Sequence, residues 1–291
     1  MTGREDGSGT GFTGAAVVAG IAGWPVRHSR SPRIHNYWLR RYAIDGVYVP
    51  FPIQPERAAE AFRALAALGI RGLNVTVPHK EQAFRAMDSL DRVAERMKAV
   101  NTVVVCSDGT LHGTNTDAYG FLESLRKAKP GWAAGAGPAV VLGAGGAARA
   151  IAAGLQDAGA PEIRIVNRTA DRAGAIAAEF GAPVRAVAWD ARAEALDGAM
   201  LLVNATSLGM EGKPPLDIAL DALPREATVY DIVYVPLETP LLAAARARGN
   251  SAVDGLGMLL HQARPGFHAW FGTDPAVDAA LRAHVLADLG G

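Results

Sequence analysis

Short apolar runs typical of buried β-strands alternate along the chain with longer segments whose apolar residues recur at helical spacing. In the first part the strand-like runs are AVVAGIAG, GVYVPFPI and GLNVTV, and helical segments cover 31–43, 55–68 and 81–99. Strands separated by helices of this length are typical of βαβ units around a parallel sheet. The pattern therefore predicts an α/β fold with a mainly parallel sheet.

Residues 100–113 show a different pattern, because Asp108-Gly109 stands between two β-prone flanks. This dipeptide is a hairpin signal, so an antiparallel strand pair is expected to close the first unit. A helix is predicted over 114–129, with Thr116 or Asp117 as its cap. The looser stretch KPGWAAGAGP that follows indicates a boundary between two domains.

A second alternating set follows this boundary. Its strand-like runs are AVVLGAG, EIRIVNR, VRAVAW, AMLLVNATS and ATVYDIVY, with helices predicted over 147–158 and 170–180. Two closing helices, 239–248 and 256–271, have no strand partners after them. We expect them to pack back on the first unit.

Composition and charge narrow the class of protein. Of 291 residues, 49% are hydrophobic and 20% charged, which is typical of a soluble globular protein. Lys plus Arg and Asp plus Glu are both 29, so nothing predicts a nucleic-acid or membrane partner. The single cysteine, Cys106, and the absence of zinc-type spacing predict a cytoplasmic protein without a metal. The first 14 residues are rich in Gly, Ser and Thr and are expected to be a flexible lead-in.

The run VVLGAGGAA places Gly143, Gly145 and Ala148 in a G-x-G-x-x-A pattern between a strand and a helix. Such glycines permit a tight turn and let backbone N–H groups approach a pyrophosphate at the helix N-terminus. The alternative is a glycine-rich turn that binds nothing. At the next strand end, NAD-binding folds carry an acidic residue, whereas this chain has Arg168 and Arg172. We interpret the two arginines as a site for the 2′-phosphate of NADP. The alternative is that they are ordinary solvated side chains.

Polar side chains follow several strand ends in the first unit. In HSRSP, Ser29 and Ser31 precede a helix that Pro32 can open, with Ser31 as the expected N-cap. Hydroxyls and free N–H groups together suit a carboxylate, although capping alone is the better explanation for one such motif taken by itself. In NVTVPHK, the alternation predicts Val75 and Val77 toward the core and Asn74 and Thr76 toward a ligand. Pro78 should then end the strand so that Lys80 begins a helix at a cleft.

The motifs HSRSP, NVTVPHK, AVNT, NTD, GAGGAARA, NRTADR, NATSLGM, DIVY and DGLGMLLHQ, in this order, closely resemble the shikimate dehydrogenase family. The resemblance runs from about Gly20 to about Gly272. It implies two α/β domains, a substrate domain and a Rossmann-type NADP-binding domain, with the active site in the cleft between them. It also implies that the first domain is discontinuous, with 15–116 plus 254–291 forming the substrate domain and 117–253 the cofactor domain.

The resemblance implies reversible NADPH-dependent reduction of 3-dehydroshikimate to shikimate. Lys80 and Asp117 would be the catalytic pair, with the choice of formal base left open. The substrate-binding residues would be Ser29, Ser31, Asn74, Thr76, Lys80, Asn101, Asp117, Tyr234 and Gln262. The residues binding NADP(H) would be Gly143, Ala144, Gly145, Gly146, Ala147, Asn167, Arg168, Thr169, Arg172, Thr206, Ile232 and Gly255.

Three other functions use the same plan. The nearest alternative is a quinate-active paralogue with broader cofactor use. A non-catalytic NADP-responsive regulator is a second, but it would not need Lys80 and Asp117 together. A folate-linked dehydrogenase is a third, but it would not need the serine pair. A homodimer is one candidate assembly.

Overall fold

The structure, a computed structural model, describes residues 11–287. The predicted flexible segment, 1–14, therefore lies mostly outside the described residues. Within its last part, the Thr13 N–H donates to Asp45 Oδ1 over 3.0 Å just before the first strand begins.

The first sheet has six strands in the order β2-β1-β3-β5-β6-β4. Their bounds are β1 Val17–Gly23, β2 Gly46–Pro52, β3 Ile70–Val75, β4 Ser89–Leu90, β5 Thr102–Val105 and β6 Leu111–Thr114. The strand β1 pairs in parallel with β2 and β3, whereas β3, β5 and β6 pair antiparallel. Gly109, with φ of 85°, supplies the turn between β5 and β6, which confirms the predicted hairpin.

Four helices belong to this part of the chain: α1 Ser31–Arg41, α2 Ala58–Ala64, α3 Lys80–Ala86 and α4 Arg92–Met97. The single helix predicted over 81–99 is wrong, because β4 divides it. Asp88 causes the break: its N–H donates to Leu111 O over 2.9 Å, and its Oδ2 accepts from Leu111 N over 2.7 Å. Asp91 then caps α4 by accepting from Ala94 N over 2.6 Å.

The second sheet is fully parallel, with the order β12-β11-β10-β7-β8-β9. Its strands are β7 Ala139–Leu142, β8 Ile163–Asn167, β9 Val184–Ala188, β10 Leu201–Asn204, β11 Thr228–Asp231 and β12 Ser251–Val253. Its helices are α5 Asp117–Ala128, α6 Gly146–Asp157, α7 Ala170–Phe180 and α8 Pro240–Arg248. The chain order reverses between β7 and β10, and such a switch point is where parallel α/β sheets bind ligands.

The closing segment contains α9 Leu256–Phe271 and α10 Ala279–Leu286. The helix α9 packs on the first sheet, where Trp270 Nε1 donates to Val103 O over 3.0 Å. The helix α10 buries Leu281 and Val285 in the same core as α1. The expectation that both closing helices pack on the first unit is wrong for α8, which packs on β11 and β12. The sequence reading also missed β12 and α10.

Candidate active site

Lys80 and Asp117 form an ion pair at the bottom of the cleft between the two sheets. Each is the first residue of a helix, α3 and α5, and Lys80 Nζ lies 2.6 Å from Asp117 Oδ2. The exposed fractions of the two side chains are 29% and 14%, so solvent screens the pair less than it would a surface pair. The pair therefore presents a charged donor to the cleft.

Two asparagines hold Asp117 from the protein side, one at its carboxylate and the other at its backbone N–H. Asn101 Nδ2 donates to Asp117 Oδ1 over 2.8 Å, and the Asp117 N–H donates to Asn115 Oδ1 over 3.1 Å. Both carboxylate oxygens thus accept a hydrogen bond, Oδ1 from Asn101 and Oδ2 from Lys80. An ammonium group has three protons, and within the described residues Asp117 is the one hydrogen-bond acceptor for Lys80. The other two ammonium protons therefore remain available to a ligand.

A cavity of about 380 Å³ opens above this pair. The structure brings every predicted substrate-binding residue to its wall, together with two of the predicted cofactor residues: Ser29, Ser31, Asn74, Thr76, Lys80, Asn101, Asp117, Tyr234, Gln262, Ile232 and Gly255. Tyr234 and Ile232 follow β11 of the second sheet, whereas the serines lie at the start of α1. The cavity therefore lies between the two units of the chain.

The serine motif is built differently from the prediction. Arg30, not Ser31, occupies the N-cap of α1, and Ser31 is the first helical residue, with Pro32 following it. The Ser31 N–H donates to Ser29 Oγ over 3.2 Å, so the Ser29 hydroxyl satisfies a backbone N–H at the helix start that has no partner within the helix. Arg30 also lines the cavity, a position that the sequence reading passed over although HSRSP contains it.

Tyr234 brings a hydroxyl to the serine side of the cavity from the other unit. Burial raises the pKa of Tyr234, and the charge of Arg30 opposes that shift. The phenol therefore remains a hydrogen-bond donor at neutral pH. The loop that carries it is fixed by Asp231, which is fully buried and accepts from Asn204 Nδ2 over 2.9 Å and from Val233 N over 3.0 Å.

The strand end NVTVPHK delivers its side chains partly as predicted. Val75 is buried and Lys80 begins α3. The prediction that Val77 faces the core is wrong, because β3 ends at Val75 and the Val77 side chain is 68% exposed. Thr76 lies directly against Gly23: a Cβ added to that glycine would lie 2.5 Å from the Thr76 Cγ2 methyl.

Gln262 reaches the cavity because α5 and α9 approach each other closely. A Cβ on Gly120 would lie 2.6 Å from the Gln262 Cβ, so only glycine allows this contact. Thr116 occupies the N-cap position of α5, as predicted, but its hydroxyl makes no capping bond and donates to the Gln262 carbonyl over 2.8 Å. Gly120 follows Asp117 by about one helical turn, so this contact brings Gln262 of α9 to the same end of α5 as Asp117.

Gly143, Gly145 and Gly146 form an open turn at the end of β7. Gly143 has φ of 111°, and a Cβ there would lie 3.0 Å from Ala205 O. Gly145 and Gly146 have no neighbour within 4 Å of an added Cβ, so their backbone faces open space at the N-terminus of α6. This shape fits a pyrophosphate, which needs close approach to free N–H groups.

A second cavity, of about 230 Å³, continues from this turn across β8 and β10. Its wall includes predicted cofactor residues, namely Gly143, Ala144, Gly145, Asn167, Arg168 and Thr206. Ala147, Thr169 and Arg172 lie beside it without lining it. The sequence reading missed Trp189, which forms another part of the wall.

Arg168 and Arg172 stand at the predicted 2′-phosphate position. Both side chains are exposed, and neither has an ion-pair partner within residues 11–287. The Asn167 side chain instead turns back to donate to Thr169 O over 2.9 Å. Two guanidinium groups without an ion-pair partner among the described residues, of which Arg168 lines the second cavity, suit a phosphorylated ribose.

The two sheets and this site define a two-domain α/β oxidoreductase that uses a dinucleotide cofactor. Residues 21–103 match the sequence model of the shikimate dehydrogenase substrate binding domain, and residues 132–210 match that of shikimate/quinate 5-dehydrogenase. The NADP(+) shikimate dehydrogenase of Rhodospirillum rubrum is 60% identical, over 94% of this chain and 99% of its own. The chain therefore belongs to the shikimate dehydrogenase family.

Solved structures agree with this assignment. Shikimate 5-dehydrogenase of Thermus thermophilus, in complex with NADP(H) and shikimate, is 38% identical, with a TM-score of 0.82 over 94% of this chain and 99% of that one. Quinate dehydrogenase of Corynebacterium glutamicum, in complex with NAD, is 29% identical, with a TM-score of 0.86 over 94% of this chain and 99% of that one.

No helix within residues 11–287 is long and apolar enough to cross a membrane.

Proposed function

We propose that this protein catalyses the reversible NADPH-dependent reduction of 3-dehydroshikimate to shikimate. The observation that carries the proposal is the Lys80–Asp117 ion pair, 2.6 Å long, which lines both the cavity of the hydroxyl-bearing residues and a neighbouring cavity that reaches Gly145 and Gly146. The names of the relatives, and the ligands of the Thermus thermophilus structure, support it.

When bound, NADPH supplies the hydride that reduces the keto carbon. Negative charge then develops on the carbonyl oxygen, and Lys80 lies where it would donate a proton to that oxygen. Asp117 keeps the ammonium directed at this position and stabilises its positive charge. In the reverse direction the amine would take the proton from the shikimate hydroxyl.

The remaining cavity residues would hold the substrate. Ser29, Ser31 and Tyr234 would donate to its carboxylate. Asn74 Oδ1 already accepts from Tyr48 and keeps one lone pair, whereas Asn101 Nδ2 keeps one proton beyond its bond to Asp117. These two amides, with Thr76 and Gln262, would bind the ring hydroxyls.

NADP would lie across the end of the second sheet. The glycine turn from Gly143 to Ala147 would bind its pyrophosphate, and the adenosine phosphate would meet Asn167, Arg168, Thr169 and Arg172. Thr206, Ile232 and Gly255 would contact the rest of the cofactor toward the nicotinamide. The arginine pair makes NADP the preferred dinucleotide in this proposal.

The same proposal divides the chain into a substrate domain, 15–116 plus 254–291, and a cofactor domain, 117–253. We also expect the protein to be located in the cytoplasm and to form a homodimer. Quinate oxidation is the second candidate activity, favoured by the family model that covers quinate and by the quinate dehydrogenase of similar fold.

One assay tests the proposal: absorbance at the reduced nicotinamide band, with shikimate or quinate each offered with NADP or NAD. Reduction of NADP by shikimate is expected to be the fastest of the four reactions. No reaction in that combination would refute the proposal, and a faster reaction with quinate and NAD would establish the second candidate.

A further inference from the structure

A continuous series of buried hydrogen bonds runs from Tyr48 on β2 to the ion pair. The groups in order are Tyr48, Asn74, Thr102, Asn101, Asp117 and Lys80. We call these six residues the polar relay. The first four are almost fully buried, with exposed fractions of 1%, 4%, 1% and 3%. A buried polar group has few alternative partners, so each bond in such a series restricts the next.

Tyr48 is held rigidly at the start of the polar relay. Its ring stacks on His35 with centroids 4.0 Å apart and planes at 3°. Its hydroxyl donates to Asn74 Oδ1 over 2.6 Å. Burial raises the pKa of Tyr48 well above its usual value, so the phenol keeps its proton.

The orientation of the Asn74 amide is determined on both sides. Its Nδ2 lies 3.3 Å from the Asn101 carbonyl oxygen, which can only accept, and 3.2 Å from Thr102 Oγ1. The nitrogen must therefore face β5 and the oxygen must face Tyr48. Because both amide protons have partners, Asn74 determines which role the Thr102 hydroxyl takes.

Thr102 is the central member, since its hydroxyl has a single proton. Its oxygen accepts from Asn74, and its proton goes to Asn101 Oδ1 over 3.0 Å. Asn101 Oδ1 also accepts from Thr116 N over 2.9 Å, and the Thr116 hydroxyl lies 3.2 Å from the same oxygen. The Asn101 nitrogen then points at Asp117 Oδ1, and the opposite orientation would place two acceptors against each other.

We infer that Thr102 is a positioning residue for the reaction. Through Asn101 it fixes the Asp117 carboxylate, and through Asp117 it directs the Lys80 ammonium at the reacting oxygen. The Thr102 hydroxyl acts without contacting substrate or cofactor, and it lies outside the set of cavity-lining residues. This inference rests on the proposed function insofar as turnover of shikimate is one of its readouts.

Two variants of Thr102 separate the hydroxyl from the side-chain volume. Thr102→Val keeps the shape and removes the hydrogen bonds, whereas Thr102→Ser keeps the hydroxyl. Loss of a buried hydrogen bond costs about 1 to 3 kcal/mol, so kcat of the valine variant should fall about 5- to 150-fold. The KM for shikimate should change less than kcat, the pH profile of kcat should shift, and serine should restore most of the rate.

Thr228→Val is the matched control, because Thr228 is also a strand residue with 2% exposure and lies outside the polar relay. It should leave kcat and its pH profile unchanged. A valine variant at 102 with the wild-type kcat and pH profile would overturn the inference. So would an equal loss in the serine variant, because side-chain packing would then explain the effect. If Thr102→Val does not fold, Tyr48→Phe removes the first bond while keeping the stacked ring, and it should also lower kcat.

Crystal structures of the valine variant and the wild type give a readout that needs no turnover. In the variant we expect a displaced Asn101 amide and a longer Lys80–Asp117 distance, and unchanged positions would contradict the inference. If the wild type fails to oxidise shikimate, the proposed function is wrong, whereas the crystallographic comparison still decides the role of Thr102.

Discussion

Lys80 and Asp117 are 37 positions apart, yet each begins a helix and their side chains meet over 2.6 Å. A cation at a helix N-terminus is unfavourable, by roughly 0.3 to 1 kcal/mol at an exposed site, because the helix dipole is positive there. Asp117 occupies the favourable end of its own helix and offsets the charge of Lys80. The position of Lys80 is therefore explained by the cleft and not by the stability of α3.

Replacing Lys80 tests its role as proton donor. Lys80→Ala should lower kcat by roughly 10² to 10⁴, the usual contribution of a positioned acid or base. Shikimate should still bind, since Ser29, Ser31 and Tyr234 remain. Steady-state kinetics measures both effects, with Lys213→Ala, an exposed lysine in the loop after β10, as the control. A variant with the wild-type kcat would rule out this role.

Removing both exposed arginines tests the choice of cofactor. Each charge-assisted bond contributes about 1.5 to 3 kcal/mol, so Arg168→Ala combined with Arg172→Ala should raise the KM for NADP at least about tenfold. The KM for NAD should change much less. Arg126→Ala, on the exposed side of α5, serves as the control. An equal rise for both cofactors would show that the arginines do not read the 2′-phosphate.

Gly145 tests the pyrophosphate turn. Its φ of −88° suits any residue and its surroundings are empty, so Gly145→Ala should not lower the melting temperature. The added methyl would occupy the space of the cofactor and should raise the KM for NADP by about tenfold, or 1.4 kcal/mol. Gly174→Ala, inside α7 with equally open surroundings, should stabilise the protein by roughly 0.5 to 1 kcal/mol and leave the KM unchanged. The same KM for NADP in both alanine variants would remove the turn from the cofactor site.

Thr76 tests the substrate side. Thr76→Val should raise the KM for shikimate about fivefold, the scale of one lost hydrogen bond of about 1 kcal/mol. The melting temperature should not fall, because the existing methyl against Gly23 remains. Comparison of KM with thermal unfolding separates binding from stability, and an unchanged KM would exclude Thr76 from substrate binding.

His35 should make the protein less stable in acid. Burial lowers the pKa of His35 from 6.5 to about 3, although the neighbouring Asn74 side chain opposes the shift, and no group among residues 11–287 makes a hydrogen bond of normal geometry to either ring nitrogen. Between these two values the unfolded chain binds one more proton than the folded chain. The free energy of unfolding should therefore fall, as pH decreases from about 6.5 toward 3, by up to about 1.4 kcal/mol per pH unit from this group.

Urea unfolding at about pH 7 and about pH 5 measures this difference in stability. His35→Phe keeps a ring against Tyr48 and should reduce the difference, whereas His268→Phe, at an exposed position, should not. The same pH dependence in the His35 variant and the wild type would contradict the expectation.

Periodicity in the sequence was enough to predict the long elements, because strands such as β1 and helices such as α7 bury a repeating apolar face. It failed for β4 and β12, which have two and three residues. Such strands exist through pairing with distant segments, as Asp88 shows beside β6. The helix α10 was missed because it is short, with eight residues, and its buried residues, Leu281 and Val285, meet α1 from the far end of the chain.

The candidate site divides in the same way. Lys80, Asp117 and the glycine turn stand at element ends, where polar residues after apolar runs are visible in the sequence. Tyr48 was not visible, since its hydroxyl meets Asn74 from 26 positions away. Thr102 follows Asn101 directly, but the sequence shows it only as one more strand residue. Its role becomes visible when the structure gives its hydrogen-bond partners, Asn74 and Asn101.

The polar relay and the cavity wall share Asn74, Asn101, Asp117 and Lys80 but differ in their other members, and this difference has an evolutionary consequence. Of the relay's inner members, Tyr48 and Thr102 lie outside the cavity-lining set, whereas Ser29, Thr76 and Tyr234 belong to the wall without belonging to the relay. Substitutions at these wall residues can therefore change which hydroxylated acid is accepted without moving the proton donor. The scaffold is in this sense modular, and new substrate preferences should arise more easily in it than new chemistry.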